Sequence, residues 1–237
     1  MLDEADSPLE RSLAELSTFL VSDHGLADTL TRIAKLGVES VSPAKFAGIT
    51  MMVDDRISTQ GFTDPTCVHI DQAQYDSDRG PCLEAFRQGT MIVVDSLDDD
   101  DRWPEFANAA TAHGVQSTLS LPMSAGDTAV GALNFYAGSD RAFDESSTET
   151  GSLFAAQAAV VLVNAQAYWG ARLQSEHLQS ALEGREQIDM AKGIIMNTMG
   201  CGPDDAYDVL VTRSRDENRQ LRDIAEEIVA RSQRRRS

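Results

Sequence analysis

Hydrophobic positions along the chain change their spacing several times, and each change predicts a different secondary structure. Apolar residues recur at helical spacing over residues 9–20 and again over 26–41. Over residues 46–53 and 57–62 the pattern is that of strands, with two aspartates at the turn between them. The first part of the chain is therefore predicted to form two amphipathic helices followed by a β-hairpin.

The middle of the chain alternates short helices with strands. Residues 64–90 are predicted to form an interrupted helix, and a short strand, an acidic loop and a helix that starts at Trp103 follow. Two longer strands, 116–124 and 128–136, are joined by an Ala-Gly-Asp turn that suits a tight hairpin, and a long helix runs over about 145–167. This order predicts an α+β fold with an antiparallel sheet and flanking helices.

Only helical spacing is present beyond this point. The long helix is expected to continue into a helix at about 182–196, which begins a small bundle. Gly202 with the following Pro and two Asp residues is a helix start signal, and that helix is expected to end near Ser214. Asn218 is predicted to be the N-cap of a third helix. The long helix therefore joins the sheet domain to a C-terminal three-helix bundle.

A glycine interrupts the first helix of this bundle. Ile188 and Ile195 lie on its apolar face, and Lys192 lies on the charged edge of that face. Gly193 follows Lys192 directly, and a glycine in the middle of a helix costs about 1 kcal/mol relative to alanine. Such a glycine often marks a place where another molecule approaches the backbone closely.

A set of residues spread over the three helices has a characteristic spacing. The set is Arg185, Ile188-Asp189, Ala191-Lys192-Gly193-Ile194-Ile195-Met196, Gly202, Asp205-Ala206-Tyr207, Leu210, Ser214, Asn218, Leu221 and Ala225. Over about residues 182–229 it resembles the signature of the ANTAR family, whose members are RNA-binding transcription antiterminators of bacterial signalling. The resemblance implies that the partner is an RNA stem-loop in a nascent transcript.

Three pieces of the sheet domain resemble a second family. They are Gly80-Pro81-Cys82-Leu83-Glu84-Ala85, Leu121-Pro122-Met123 and Val130-Gly131-Ala132-Leu133-Asn134-Phe135. Together with the order of elements over about residues 11–168, they are similar to a GAF domain. GAF domains are small-molecule sensing or dimerising modules of signalling proteins, so the resemblance implies a sensor domain, with an unidentified small ligand as a further partner.

These resemblances predict the organisation of the chain. The expected segments are a disordered tail (1–10), a GAF-like sensor and dimerisation domain (11–168), a helical linker (169–181), an ANTAR domain (182–232) and a basic tail (233–237). A homodimer is expected, held by the helix that leaves the GAF-like domain and by the linker. The apolar run 154–163 in that helix has more hydrophobic surface than one domain face needs.

The charge of the chain is unevenly distributed. The formal net charge is -18, which by itself argues against binding to nucleic acid. Residues 1–170 hold 9 basic and 26 acidic side chains, whereas residues 213–237 hold 8 basic and 5 acidic ones. The basic groups thus gather near the C-terminus, which is compatible with contact to RNA.

Other kinds of chemistry have little support in the sequence. The three cysteines lack metal-ligand spacing, so no metal is expected. Neither a secretory signal nor a membrane-spanning run is present, so a cytoplasmic protein is expected. We also expect no cofactor and no enzymatic activity. Cys82 follows Gly80-Pro81 and is either an activated thiol or a buried small residue. His69 and His113 are weak haem-ligand candidates, and Asp98–Asp101 lacks the ligand spacing of a calcium loop.

The candidate RNA-binding residues come from the three helices and the turn between the last two. They are Arg185, Lys192, Gly193, Arg213, Ser214, Arg215, Asn218, Arg219 and Arg222. Lys and Arg side chains contact phosphates, whereas Asn and Ser contact either phosphates or bases. The alternative is a GAF signalling module whose bundle is a DNA-binding helix-turn-helix or docks a protein, because the third helix also offers base-reading residues.

Overall fold

The computed structural model describes residues 7–18, 25–53, 56–126 and 128–234. The chain divides into two compact units, Met1–Trp169 and Gly170–Ser237.

The first unit is built on one antiparallel sheet. Its five strands lie in the order β2-β1-β5-β4-β3, so both predicted hairpins pair with each other through β1 and β5. The elements in chain order are α1 (Pro8–Thr18), α2 (Leu26–Ser40), β1 (Phe46–Val53), β2 (Arg56–Phe62), α3 (Thr66–Ser77), α4 (Pro81–Gln88), β3 (Ile92–Val94), α5 (Pro104–Ala112), β4 (Ser117–Ala125) and β5 (Thr128–Ala137). This is the predicted α+β arrangement.

Two hydrophobic clusters hold the helices against the sheet. The larger one joins α1, α2 and residues 154–162, which lie in the long helix after the sheet, to sheet residues such as Ile49 and Phe135. The smaller one packs α3 and α5 against Phe46 and Tyr136, whose rings stack with centroids 5.1 Å apart. Alternate residues of β1 and β5 point to opposite faces, so the central strands contribute to both clusters.

A single helix, α6, runs from Glu145 to Met199 and confirms the prediction that the exit helix continues into the bundle. In the first unit it buries residues at helical spacing, including Phe154, Ala158, Leu162 and Ala165. Asp144 caps its beginning, because its carboxylate accepts the backbone N–H of Ser147 at 2.9 Å. No helix in the described ranges combines the length and the apolar character that a bilayer crossing requires.

The second unit contains the end of α6, α7 (Pro203–Asp216) and α8 (Leu221–Arg234). Its small core is centred on Ala191, Ile195, Leu210, Ile224 and Ala225. The predicted start signal of α7 is confirmed, because Pro203 is its first residue and the Asp205 carboxylate accepts the Gly202 N–H at 3.3 Å. The predicted apolar face of the third helix also lies in this core.

The prediction that Asn218 is an N-cap is wrong. Helix α8 begins at Leu221, and Asn218 has φ 48°, the left-handed conformation that follows a helix C-terminus. Its N–H donates to Arg215 O at 3.2 Å and the Arg219 N–H donates to Ser214 O at 3.0 Å, which together form a Schellman motif. Asn218 therefore ends α7, and Arg219 precedes α8 and does not belong to its first turn.

The predicted terminal tails also need correction where they are described. Residues 8–10 belong to α1, because the Ser7 N–H donates to Glu10 Oε2 at 2.6 Å and the Glu10 N–H donates to Ser7 Oγ at 3.2 Å. This reciprocal pair is a capping box, which fixes the first turn. At the other end α8 extends to Arg234. The remaining tail positions, 1–6 and 235–237, lie outside the described residues.

Candidate nucleic-acid interface

The candidate residues of the second unit do not form one surface. Successive residues of a helix point about 100° apart, so Lys192 and Gly193 face different neighbours although they are adjacent in sequence. Lys192 lies beside α7, with its Nζ 5.9 Å from the centroid of the Tyr207 ring. Gly193 lines a groove between α6 and α8. One phosphate could therefore not contact the Lys192 side chain and the backbone at Gly193 together, although the two residues are adjacent in sequence.

The side of the bundle between α6 and α7 carries the least neutralised positive charge. Lys192 is 26% exposed, and its only ion pair with a described residue is a long one, 3.8 Å to Asp189 Oδ1. Arg185 is exposed and lies about two turns before Lys192 on the same edge of α6. It forms no ion pair with any described residue. These two side chains are therefore available to an incoming phosphate.

Arg213 and Arg219 are instead held by two glutamates. Arg213 Nε lies 2.6 Å from Glu217, and its Nη2 lies 2.7 Å from Glu227. Arg219 Nη1 lies 2.8 Å from Glu217 and 2.7 Å from Glu227. Hydrogen bonds from Arg219 and Arg213 lower the pKa of Glu227 to about 2. A phosphate that contacts either arginine would have to compete with these carboxylates.

Ser214 and Arg215 differ in their accessibility at the end of α7. The Ser214 hydroxyl donates to Arg219 O at 2.5 Å, so it supports the turn that Asn218 makes. Arg215 is exposed and forms no ion pair with any of the described residues. The turn between α7 and α8 therefore presents Arg215 and Asn218 to solvent, while Ser214 holds the backbone.

Arg222 has a defined position on the α6 side of α8. A Cβ added at Gly184 would lie 3.3 Å from Arg222 Cδ, so the arginine stem passes directly over this glycine. The guanidinium is also 3.8 Å from both Asp223 Oδ1 and Glu226 Oε1. The glycine that accommodates a close approach inside the protein is therefore Gly184, and not Gly193.

Gly193 faces open space. A Cβ added there would meet no atom within 4 Å. Of the residues that line the groove, only Gly193 was a candidate from the sequence. The groove residues Asn197 and Gln233 were missed, because exposed amides on a helix have the same pattern as an ordinary solvated face.

The first unit contains a buried polar cluster centred on Asp71 of α3. Its carboxylate accepts hydrogen bonds from the Tyr136 hydroxyl, from Thr59 Oγ1 at 2.7 Å and from Gln74 Nε2 at 3.0 Å. Burial raises the pKa of Asp71 to about 6, although the three hydrogen bonds act in the opposite direction. The Tyr75 hydroxyl connects Thr59 to Thr50 at 2.8 and 2.9 Å. No sequence pattern links these positions, since the sheet register brings them together.

The buried thiols lie close to this cluster. Cys67 and Cys82 are both fully buried, and burial raises the pKa of each thiol well above its usual range. Of the two interpretations of Cys82, the structure supports the buried small residue, because a reactive thiolate requires a lowered pKa.

The structure also places the two histidines that were haem-ligand candidates and the acidic loop at Asp98–Asp101. The rings of His69 and His113 stack with centroids 6.0 Å apart, although nothing in the sequence paired them. Within the described residues no group of three or more side chains could hold a metal ion. In the acidic loop the Asp100 carboxylate is engaged by Arg102, 2.6 Å from Nη2.

Comparison with protein families decides the assignment of the two units. The GAF domain family matches residues 23–163, and the ANTAR domain family matches residues 176–229. The chain is a GAF-domain protein with a C-terminal ANTAR domain. Both predicted resemblances are confirmed, and all nine candidate residues lie inside the ANTAR match. A comparison with curated protein sequences finds no match.

Solved structures similar to the GAF unit share its fold at low sequence identity. The reduced form of fRMsr of Staphylococcus aureus is 16% identical, with a TM-score of 0.53, and the match covers 68% of this chain and 99% of that one. The GAF domain from Acinetobacter phosphoenolpyruvate-protein phosphotransferase is 14% identical, with a TM-score of 0.51 and coverage of 68% and 93%. A free methionine-R-sulfoxide reductase from Neisseria meningitidis, in complex with its substrate, is 19% identical, with a TM-score of 0.50 and coverage of 70% and 93%.

The combination of domains fixes the general class of the protein. GAF and ANTAR domains are regulatory modules, and their pairing is that of a signal-sensing antitermination regulator. Some structural neighbours of the GAF unit are enzymes. A sequence identity below 20% shows a shared fold and does not show a shared activity.

Proposed function

We propose that the ANTAR domain binds stem-loop RNA in nascent transcripts and that the GAF domain controls this binding in response to a signal. The observation that carries this proposal is the ANTAR match over residues 176–229. The charges of the bundle support it, because Arg185, Lys192 and Arg215 are accessible cations on a chain that is otherwise strongly acidic. We propose that these three and Arg222 contact phosphates, that Ser214 and Asn218 shape the end of α7 beside Arg215, and that Gly193 contributes through the separate groove between α6 and α8.

Binding to RNA hairpins and to duplex DNA separates this proposal from a helix-turn-helix. The probes are hairpin RNAs with a fixed stem and a randomised loop, and duplex DNA of the stem sequence. We expect the full chain to retain the hairpins on a filter and to leave the duplex unbound. Equal or tighter binding of the duplex would overturn the proposal in favour of a DNA-binding bundle.

The salt dependence of binding tests the phosphate contacts. In the double variant Lys192→Gln, Arg222→Gln, affinity should fall for all hairpins alike, and the slope of log K against log salt should decrease by about 1.5, because each phosphate contact releases about 0.7–0.9 counterion. Glutamine keeps most of each side chain, so the free energy of unfolding should change by less than about 1 kcal/mol. Filter binding at several salt concentrations measures the slope.

Lys35→Gln is the matched control for this prediction. It removes one positive charge from an exposed position of α2 in the GAF unit. Its salt slope should equal that of the wild type. If the double variant shows the same salt slope as the wild type, Lys192 and Arg222 do not contact RNA phosphates.

We also propose that the protein is a homodimer through the GAF part of α6. The supporting observation is an exposed apolar stripe in which Leu153 is 61% and Val160 45% exposed. Ala156, Val163 and Ala167 continue it at alternating spacings of three and four residues, the pattern with which helices pack side by side. The stripe contains no charged residue, so a second copy of the same stripe would fit it.

The double variant Leu153→Glu, Val160→Glu tests the dimer. Each copy would bring two acidic groups to the interface, and we expect a monomer at micromolar concentration where the wild type is a dimer. Light scattering coupled to size-exclusion chromatography measures the mass. Val68→Glu, which replaces a 36% exposed valine of α3, should leave the dimer intact. A wild-type monomer at these concentrations would rule out the dimer.

We propose that the GAF domain binds a small ligand. Asn134 Oδ1 supports this proposal, because it is a buried acceptor that has no hydrogen-bond partner among the described residues. Mass spectrometry of molecules retained by the purified protein identifies such a ligand.

We retain 11–168, 169–181 and 182–232 as the proposed GAF domain, linker and ANTAR domain, and the cytoplasm as the proposed compartment.

A further inference from the structure

A groove between α6 and α8 lies outside the packed core of the ANTAR unit. It has a volume of about 470 Å³, and its walls come from both helices. Its lining includes Met190, Gly193, Asn197, Thr198, Ser232 and Gln233. None of the lining residues that the structure describes carries a charge, in contrast to the edge of α6 beside α7.

Gly193 is the residue that the fold itself does not explain. The other glycine of this part of α6, Gly184, accommodates the stem of Arg222. At Gly193 no atom lies within 4 Å of an added Cβ, so alanine would fit and would favour the helix. A glycine at an open helical position, on the floor of a groove, is suited to a flat ligand that must approach the backbone.

The chemistry of the lining selects the class of ligand. The described lining residues offer no charge that would neutralise a phosphate, so the ligand part that contacts them is neutral. Met190, Ile194 and Val229 supply apolar walls for a planar ring. Asn197 and Gln233 each offer both a donor and an acceptor, and paired amide groups of this kind match the hydrogen-bonding edge of a base.

Arg222 connects this groove with the proposed phosphate contacts. It lies on the same stripe of α8 as Val229 and Gln233, which follow it at helical spacings of seven and then four residues. Gln233 lies about 16 Å beyond Arg222 along the helix axis, which is further than one nucleotide spans. An RNA strand of two or more nucleotides on this face would place one phosphate near Arg222 and an unstacked base in the groove. Lys192 and Arg185 lie on the other side of α6.

We infer that the groove between α6 and α8 takes one unstacked nucleobase from the loop of the bound RNA, with Gly193 as its floor and Asn197 and Gln233 as its reading groups. This inference rests on the proposed RNA function. It assigns loop recognition to uncharged residues and leaves affinity for the stem to the charged ones.

Two hairpin probes with the same stem test the inference. One carries a randomised loop of ordinary nucleotides, and the other carries an abasic loop of equal length. Fluorescence anisotropy with the full chain should show tighter binding of the base-bearing loop. Gly193→Ala and Gln233→Ala should each weaken that binding about tenfold, and neither should change the affinity for the abasic hairpin.

A matched variant separates the groove from helix stability. Gly170→Ala also adds a methyl group to α6 at a position with no atom within 4 Å, but it lies outside the groove. Both glycine variants should melt at or above the temperature of the wild type, and only Gly193→Ala should lose the preference for bases. Gln233 lies near the end of α8, so its truncation leaves the core intact.

The possible outcomes are distinct. Equal binding of the two hairpins by the wild type, or an unchanged preference for bases in Gly193→Ala and Gln233→Ala, would overturn the groove assignment and leave RNA binding in place. A wild-type protein that binds neither hairpin would contradict the proposed function itself.

Discussion

Asp71→Asn is expected to make the GAF unit more stable than the wild type above about pH 6, whereas Asp71→Ala is expected to make it markedly less stable than Asp71→Asn. The two variants separate the cost of a buried charge from the value of its hydrogen bonds. Asparagine keeps an acceptor for Tyr136 and Gln74, and its amide can donate to the Thr59 hydroxyl. Alanine leaves these groups without their partner, at about 1–3 kcal/mol for each buried polar group.

The pH dependence of this effect has a definite sign. Burial raises the pKa of Asp71 from 3.8 to about 6, so the folded protein binds a proton more tightly than the unfolded chain. Below about pH 4 the carboxyl is protonated in both the folded and the unfolded state and carries no buried charge. The free energy of unfolding then falls as pH rises from about 4 to about 6. By linkage the loss amounts to about 3 kcal/mol.

Urea unfolding over about pH 4 to pH 8 measures the prediction. The difference in stability between Asp71→Asn and wild type should grow from about pH 4 to about pH 6 and then level off. Asp71→Ala should lie about 3 kcal/mol or more below Asp71→Asn throughout. Parallel stability profiles for wild type and Asp71→Asn would show that Asp71 does not titrate in this way.

Leu210→Ala is expected to remove RNA binding while the GAF unit stays folded. Leu210 is fully buried at the centre of the small ANTAR core, where it packs with Ala191, Ile224 and Ala225. Truncation of a buried leucine costs about 2–5 kcal/mol. A unit of this size without disulfide or metal is expected to have a stability of only about 3–5 kcal/mol, so the bundle should be largely unfolded.

Two observables together check this prediction. Hairpin binding should be lost, and the thermal melt should show an early transition for the ANTAR unit beside an unchanged transition for the GAF unit. Leu173→Ala, at a 55% exposed position of α6, is the control and should keep binding and both transitions. Wild-type hairpin affinity in Leu210→Ala would show that RNA binds elsewhere on the chain.

The fold was predictable where periodicity and turn chemistry agree. The strands at residues 46–53 and 128–136 follow from short apolar runs bounded by turn residues. Pro203 with Asp205 marks the beginning of α7 in the sequence as in the structure. The continuous helix α6 was predictable because few helix-breaking residues interrupt it. In each of these cases the local preference and the tertiary packing favour the same conformation.

The site was less predictable because its geometry depends on contacts between distant residues. Asn218 suits an N-cap and a left-handed C-terminal position equally well, and only the backbone shows that it ends α7. Lys192 and Gly193 are neighbours in sequence but face different helices. The pairing of Arg213 and Arg219 with Glu227 depends on how α7 and α8 pack, which periodicity does not specify.

We propose that this GAF–ANTAR protein prevents termination by holding an RNA hairpin. Single-round transcription tests it on a template whose transcript folds either a hairpin that the protein binds or an overlapping terminator. Wild-type protein should increase readthrough in proportion to hairpin occupancy, and the Lys192→Gln, Arg222→Gln variant should require correspondingly higher concentrations. Unchanged termination at a protein concentration that saturates the hairpin would contradict the claim.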